Sequence, residues 1–221
     1  MKNSIFVVGS DQAKKDVLHW LGDSEFEKAD KLEDAKIVVF TGDMPLDPSS
    51  YKMKKHTSFM SMRRKDLEEI KLYGKVNPET QIVVGISRGA HLACVMNGGK
   101  IIQGCDVSFH SSNNTHPILS PDGWVYDIPS KHTQLMYPYN IEKNQYNVLF
   151  YCDPRGDYPE SPALKGTGMD GSEIVNNVEA EIVVFKGNPK TPRALAVQGH
   201  PEIIPGSPIA NRVIQEIKGL I

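Results

Sequence analysis

Apolar residues fall along the chain in two rhythms. Runs with almost no polar interruption occur at 5–8 (Ile-Phe-Val-Val), 37–40 (Ile-Val-Val-Phe), 82–86 (Ile-Val-Val-Gly-Ile), 147–151, 181–185 and 193–197. Rich in β-branched residues, several of them read as strands buried on both faces, as in a parallel sheet. Helical spacing fills the gaps. Asp11 is placed to cap a helix running through Trp20 and Leu21 to a stop at Gly22, after which 26–29 reads as a short strand. Residues 66–73 set Leu67, Ile70 and Leu72 apart as the apolar side of an amphipathic helix that Gly74 stops. Residues 90–96 continue directly from a strand, and 207–221 close the chain with Ile209, Val213, Ile214 and Ile217 on one face. Strand, helix, strand repeated in this way predicts an α/β fold with an open, mostly parallel sheet flanked by helices.

The texture changes between Cys105 and Tyr139. Short β patterns at 107–109, 118–119 and 124–126 alternate with polar turns such as Ser111-Ser112-Asn113-Asn114 and Pro121-Asp122-Gly123. This predicts a small antiparallel β excursion packed beside the main sheet. His110, His116 and His132 fall within it, but their spacing fits no standard metal site, so no metal ligands are expected. Residues 153–172, rich in Pro and Gly, read as a loop rimming the site. Residues 52–65 carry Lys52, Lys54, Lys55, His56, Arg63, Arg64 and Lys65 among Met53, Phe59, Met60 and Met62. They read first as a solvated approach to the next helix, and second as a basic lid for an anionic substrate or partner.

Composition narrows the class. With 221 residues, 39% apolar, 24% charged and a formal net charge of −2, a single domain spanning 1–221 is expected, with no general affinity for nucleic acid or anionic membrane. The first apolar run is too short for a secretion signal, and no run approaches transmembrane length. Three cysteines, Cys94, Cys105 and Cys152, without paired spacing point to reduced thiols and a cytoplasmic location.

The chemistry concentrates in two stretches. Gln81–Gly89 is a strand running into Gly85-Ile86-Ser87-Arg88-Gly89, followed at once by a helix. Strand, G-x-S-x-G and helix form the context of a nucleophile elbow, in which glycines allow a crowded turn and the serine is thrust beyond the strand's carboxyl end. Backbone N–H groups at the helix start can there stabilise an oxyanion. The second stretch, Ala196-Val197-Gln198-Gly199-His200-Pro201-Glu202, follows a buried strand with a base and a carboxylate two residues apart. A serine nucleophile needs both. The order is nucleophile, histidine, acid, unlike the nucleophile, acid, histidine of an α/β-hydrolase.

These residues resemble the class I glutamine amidotransferases, in the branch of γ-glutamyl and γ-glutamyl-GABA hydrolases. The family's elbow G-x-C-x-G-x-Q appears as Gly85-Ile86-Ser87-Arg88-Gly89-Ala90-His91, and its G-V-Q-x-H-P-E as Ala196 to Glu202. Its glycine-rich loop resembles Thr41-Gly42-Asp43-Met44-Pro45 and the residues on to Tyr51, and its S-x-H-H-Q stretch resembles Ser130-Lys131-His132-Thr133-Gln134. The four matches keep family order over nearly the whole chain. The resemblance implies the family's flavodoxin-like sheet, no cofactor, and a triad of Ser87, His200 and Glu202. It implies an oxyanion hole from the backbone N–H of Arg88 and of Gly42 or its neighbour, and a substrate side lined by His91, Ser130, His132 and Gln134. The departures are Ser87 for the family's cysteine, His91 for its glutamine, and Thr41-Gly42 for its double glycine.

The resemblance predicts hydrolysis of the amide of glutamine or a γ-glutamyl compound through a glutamyl-enzyme, releasing ammonia or an amine. Since a chain ending at Ile221 leaves no room for a synthetase, an ammonia-accepting synthetase or ligase partner is expected to dock over 52–65 and 153–172, although γ-glutamyl hydrolases need none. Ser87 is consistent with an active serine hydrolase, with a non-catalytic relative in a binding or regulatory role, and with an engineered replacement of cysteine. A serine esterase or peptidase with the same triad is the competing enzyme class.

Overall fold

The computed structural model describes residues 3–22, 26–42, 44–53, 61–103, 105, 110, 115–152 and 178–221. The apolar runs form one mixed sheet. Strands β1 (Asn3–Val8), β2 (Phe26–Lys28), β3 (Ile37–Gly42), β4 (Ile82–Ser87) and β11 (Ala194–Val197) lie in the order β2-β1-β3-β4-β11, and all their pairings are parallel. Beyond β11 the sheet turns antiparallel, through β10 (Glu179–Phe185), β9 (Tyr146–Cys152), β6 (Thr115–Leu119) and β7 (Val125–Pro129). A side branch joins β8 (Leu135–Tyr137) to β10 and to β5 (Lys100–Ile102).

The parallel runs are continuous because each strand feeds two cores. Ile37, Val39, Ile82, Val84 and Ile86 pack on one side with α1 (Asp11–Gly22) and α4 (Pro208–Leu220). Val38, Phe40 and Val83 pack on the other with α3 (Arg88–Met96). A strand enclosed in this way has no polar face to display. Helix α4 matches its expected face: Ile209, Val213, Ile214 and Ile217 are buried, Ser207 Oγ accepts from Ala210 N at 3.2 Å, and Pro208 occupies the first turn. For α1 the cap is one residue earlier than expected: Ser10 Oγ accepts from Ala13 N at 3.3 Å.

Two expectations are revised. Helix α2 (Arg63–Tyr73) buries only part of the apolar side that its spacing suggested: Ile70 and Leu72 are half-buried against the core, but Leu67 is not. Asp66, Glu69 and Tyr73 are buried, while Leu67 is 47% exposed. The reason is a buried cation: Arg88 ion-pairs with both Asp66 and Glu69, so helix α2 docks through charge as well as through Ile70, Leu72 and Tyr73. The antiparallel region does not lie beside the sheet but extends it, joined to β9 through the pairing of Leu119 with Tyr151. Among the described residues, no helix is long and apolar enough to cross a membrane. The expected strand at 107–109, the loop at 153–172 and residues 54–60 of the basic stretch lie outside the described residues.

Candidate active site

The elbow follows from its two glycines. A Cβ on Gly89 would sit 1.9 Å from the carbonyl oxygen of Phe40, and one on Gly85 would sit 2.3 Å from that of Gly89. Only glycine lets the turn fold this tightly against β3. Between them Ser87 adopts φ 53° and ψ −114°, a conformation that serine rarely takes and that a surrounding structure must impose. Strain of this kind is what a nucleophile elbow stores, at a cost of about 1–3 kcal/mol. Ser87 itself is 3% exposed.

Strand register brings the other parts to the same edge. Ser87 pairs with Gly42 across β4 and β3, and Ile86 pairs with Val197 across β4 and β11. Because these strands are parallel, their carboxyl ends coincide, and His200 lies three residues beyond Val197. That segment is fixed from the antiparallel side: His200 N donates to Pro129 O at 2.8 Å, and a Cβ on Gly199 would clash with Ile128. His200 Nδ1 lies 2.7 Å from Glu202 Oε1. A carboxylate only accepts, so Nδ1 carries the proton and Nε2 the lone pair, the form a general base requires. Nε2 is buried and makes no hydrogen bond among the described residues.

The expected substrate-side residues take different places. Met44, Pro45, Ser87, His91, His132 and Gln134 line a narrow crevice at this edge. Gln134 is committed to the loop opposite: its Oε1 accepts from Leu46 N at 2.8 Å and its Nε2 donates to Leu46 O at 3.0 Å. It shapes the crevice by holding Met44 and Pro45 in place. Ser130 is fully buried, donates to the carbonyl of His110 and is absent from the crevice lining. His91 is buried on α3, and burial, reinforced by the charge of Arg88, lowers its pKa to about 4, so the ring is neutral at ordinary pH. Burial holds His132 well below the usual histidine range, and the nearby His110, His91 and His116 push in the same direction. The crevice wall therefore offers neutral imidazoles. Beside the Gly42 loop, Lys65 Nζ would lie 3.6 Å from a Cβ at Gly42 and is 3.9 Å from Glu69, which places a cation near the proposed oxyanion loop.

Sequence spacing separates His110, His116 and His132 and predicts no metal site. The fold brings all three to Glu181, a residue that reads from spacing as an ordinary strand position. The overlooked signal is a pair of glutamates, Glu179 and Glu181, on an otherwise apolar strand buried almost throughout.

No protein-family model matches the chain, and no curated protein sequence does. Solved structures do. The fold is similar over 100% of this chain and 94% of the other to a protein from Thermoplasma acidophilum assigned as a GMP synthase subunit, with a TM-score of 0.60 and 12% identity. It is similar over 99% of this chain and 83% of the other to a glutamine amidotransferase from Thermotoga maritima, with a TM-score of 0.51 and 15% identity. The α/β architecture is thus shared with these two structures.

Proposed function

We propose that the chain is a glutamine amidotransferase-like hydrolase that cleaves the amide of glutamine or a γ-glutamyl compound. Ser87 attacks the carbonyl carbon while His200 Nε2 takes its proton. The backbone N–H groups of Arg88 and of Gly42 or its neighbour hold the oxyanion. Collapse of the tetrahedral intermediate expels ammonia or an amine, which receives the proton from His200, and leaves a glutamyl ester on Ser87. Water, deprotonated by His200, then attacks the ester, and Ser87 leaves with that proton as the glutamyl acid is released. Glu202 keeps the proton on Nδ1 and stabilises the imidazolium. The observation that supports this reading is that a strained Ser87, the Gly42 loop and a histidine whose Nδ1 lies 2.7 Å from Glu202 all follow the carboxyl ends of adjacent parallel strands.

The similar structure from Thermoplasma acidophilum is assigned as a synthase subunit, and an ammonia-consuming partner belongs to the same proposal. Ser87 itself supports a second reading, a serine hydrolase acting on esters, because a hydroxyl depends on its base during attack where a thiolate does not. Ammonia release from glutamine by wild type, Ser87→Cys and Ser87→Ala separates the two. The amidotransferase-like reading expects Ser87→Cys to match or exceed wild type and Ser87→Ala to be silent. A silent Ser87→Cys, with wild type cleaving a p-nitrophenyl ester, transfers the site to the ester reading.

A further inference from the structure

Behind the crevice wall, four side chains from four separate parts of the chain converge. His116 comes from β6, His132 from the turn between β7 and β8, Glu181 from β10, and His110 from the stretch before β6. All four are buried, and one nitrogen or oxygen from each lies within 4.8 Å of all the others. His116 Nε2, His110 Nδ1 and His132 Nε2 stand 3.8, 3.9 and 4.0 Å from the Glu181 carboxylate. These separations are too long for hydrogen bonds.

The far side of each ring shows where its proton is. His132 Nδ1 lies 3.0 Å from the carbonyl of Gln134, and His116 Nδ1 lies 3.3 Å from that of Pro117. Carbonyl oxygens only accept, so each Nδ1 carries a proton, and in the neutral ring each Nε2 turns its lone pair toward Glu181. His110 Nε2 lies 2.8 Å from Glu179 Oε2, which by the same argument turns the Nδ1 lone pair toward Glu181. In these tautomers three imidazole lone pairs face one carboxylate, a donor set that suits a cation. His132 Nε2 and Glu181 Oε2 are buried and make no hydrogen bond among the described residues.

We propose that His110, His116, His132 and Glu181 bind a single divalent transition-metal ion of the zinc type. Three imidazoles and a carboxylate suit zinc, and four protein ligands with no exposed position match its closed, structural mode. Ligands about 2.0–2.1 Å from a tetrahedral zinc are roughly 3.4 Å apart, so separations of up to 4.8 Å close on an ion with shifts of about half to one ångström per ligand. The surroundings form an outer layer of the kind that orients metal ligands. Two backbone carbonyls and Glu179 hold the distal ring nitrogens, and Gln198 Nε2 donates to Glu181 Oε1 at 3.3 Å. Cys152, 3.3 Å from Glu179 Oε2, belongs to that layer. The ion ties the antiparallel region to β10, where strand pairing contributes little, and it fixes His132, one wall of the Ser87 crevice. The inference does not rest on the hydrolase reading.

Metal analysis of the full chain, purified without chelators, tests it. The expected result is about one zinc per chain, replaceable by cobalt with the intense visible absorption of a tetrahedral site. His116→Gln and Glu181→Gln should each lose the ion and the spectrum. Glu179→Gln should retain the site with affinity lowered by roughly 10–100-fold. A wild-type chain that is metal-free as purified and takes up neither zinc nor cobalt in dialysis overturns the proposal. So do variants, folded by circular dichroism, that hold as much metal as wild type. Should the variants fail to fold, the wild-type cobalt spectrum decides alone: tetrahedral absorption sustains the site, and the weak absorption of an octahedral surface ion ends it.

Discussion

Two buried polar clusters flank the Ser87 crevice, and they balance their charge in opposite ways. On the α2 side, Arg88 pairs with both Asp66 and Glu69, and Asp66 Oδ2 also accepts from Asp47 N at 2.9 Å. The cation is a side chain, so that cluster is complete as folded. On the β10 side, three imidazoles surround Glu181 at 3.8–4.0 Å with their lone pairs inward, and no lysine or arginine is paired to it among the described residues. A buried charge is tolerated when it is paired or bound to a metal. The difference teaches that the first cluster is a self-contained brace for the elbow, whereas the second depends on a cation from outside.

The largest expected effect comes from breaking the complete cluster. Arg88→Met leaves two buried carboxylates without their cation and should cost about 3–5 kcal/mol in urea denaturation, without any response to chelator. If Arg88→Met is near neutral, the brace is not one. The second cluster should respond to metal. Zinc at about a hundred times its dissociation constant should add about 2.7 kcal/mol to wild-type stability, and EDTA should remove it. Equal melting temperatures with and without chelator would erase the contrast.

A smaller effect separates strain from packing at the elbow between the clusters. Ser87→Gly relieves the positive φ and should raise stability by about 1 kcal/mol while abolishing turnover. A destabilised Ser87→Gly would mean that the hydroxyl is held by packing rather than against it. The smallest effect concerns α2: Leu67→Lys should change stability by less than about 0.5 kcal/mol, because that side chain faces solvent. A loss of about 2 kcal/mol or more would restore the apolar docking face.

The same contrast explains what was legible in the sequence. The parallel half could be read because Ile37–Phe40 and Ile82–Ile86 are apolar on both faces and the elbow glycines are close neighbours in the chain. His200 and Glu202 were legible for the same reason, being two residues apart. Helix α2 misled because its periodicity marks an apolar stripe, and nothing in its own residues reveals a guanidinium from another element. Strand β8 went unread: Leu135–Tyr137 is three residues long and is held by pairing with β5 and β10 rather than by its own pattern. The histidine cluster could not be read from spacing, because its ligands span from His110 to Glu181 and meet only when the antiparallel strands pair. By resemblance Ser130 and Gln134 face substrate, but Ser130 is fastened to a carbonyl inside the fold, and the amide of Gln134 is spent on Leu46.

The central claim is that Ser87 is a nucleophile activated by His200. Covalent labelling by a fluorophosphonate, read by mass spectrometry of the Ser87 peptide, tests it most directly in wild type and in His200→Ala. The account predicts a single adduct on Ser87 in wild type, forming about a hundredfold or more slowly in His200→Ala, in line with the contribution of a positioned general base. No adduct on Ser87, or equal labelling in the two proteins, would contradict it.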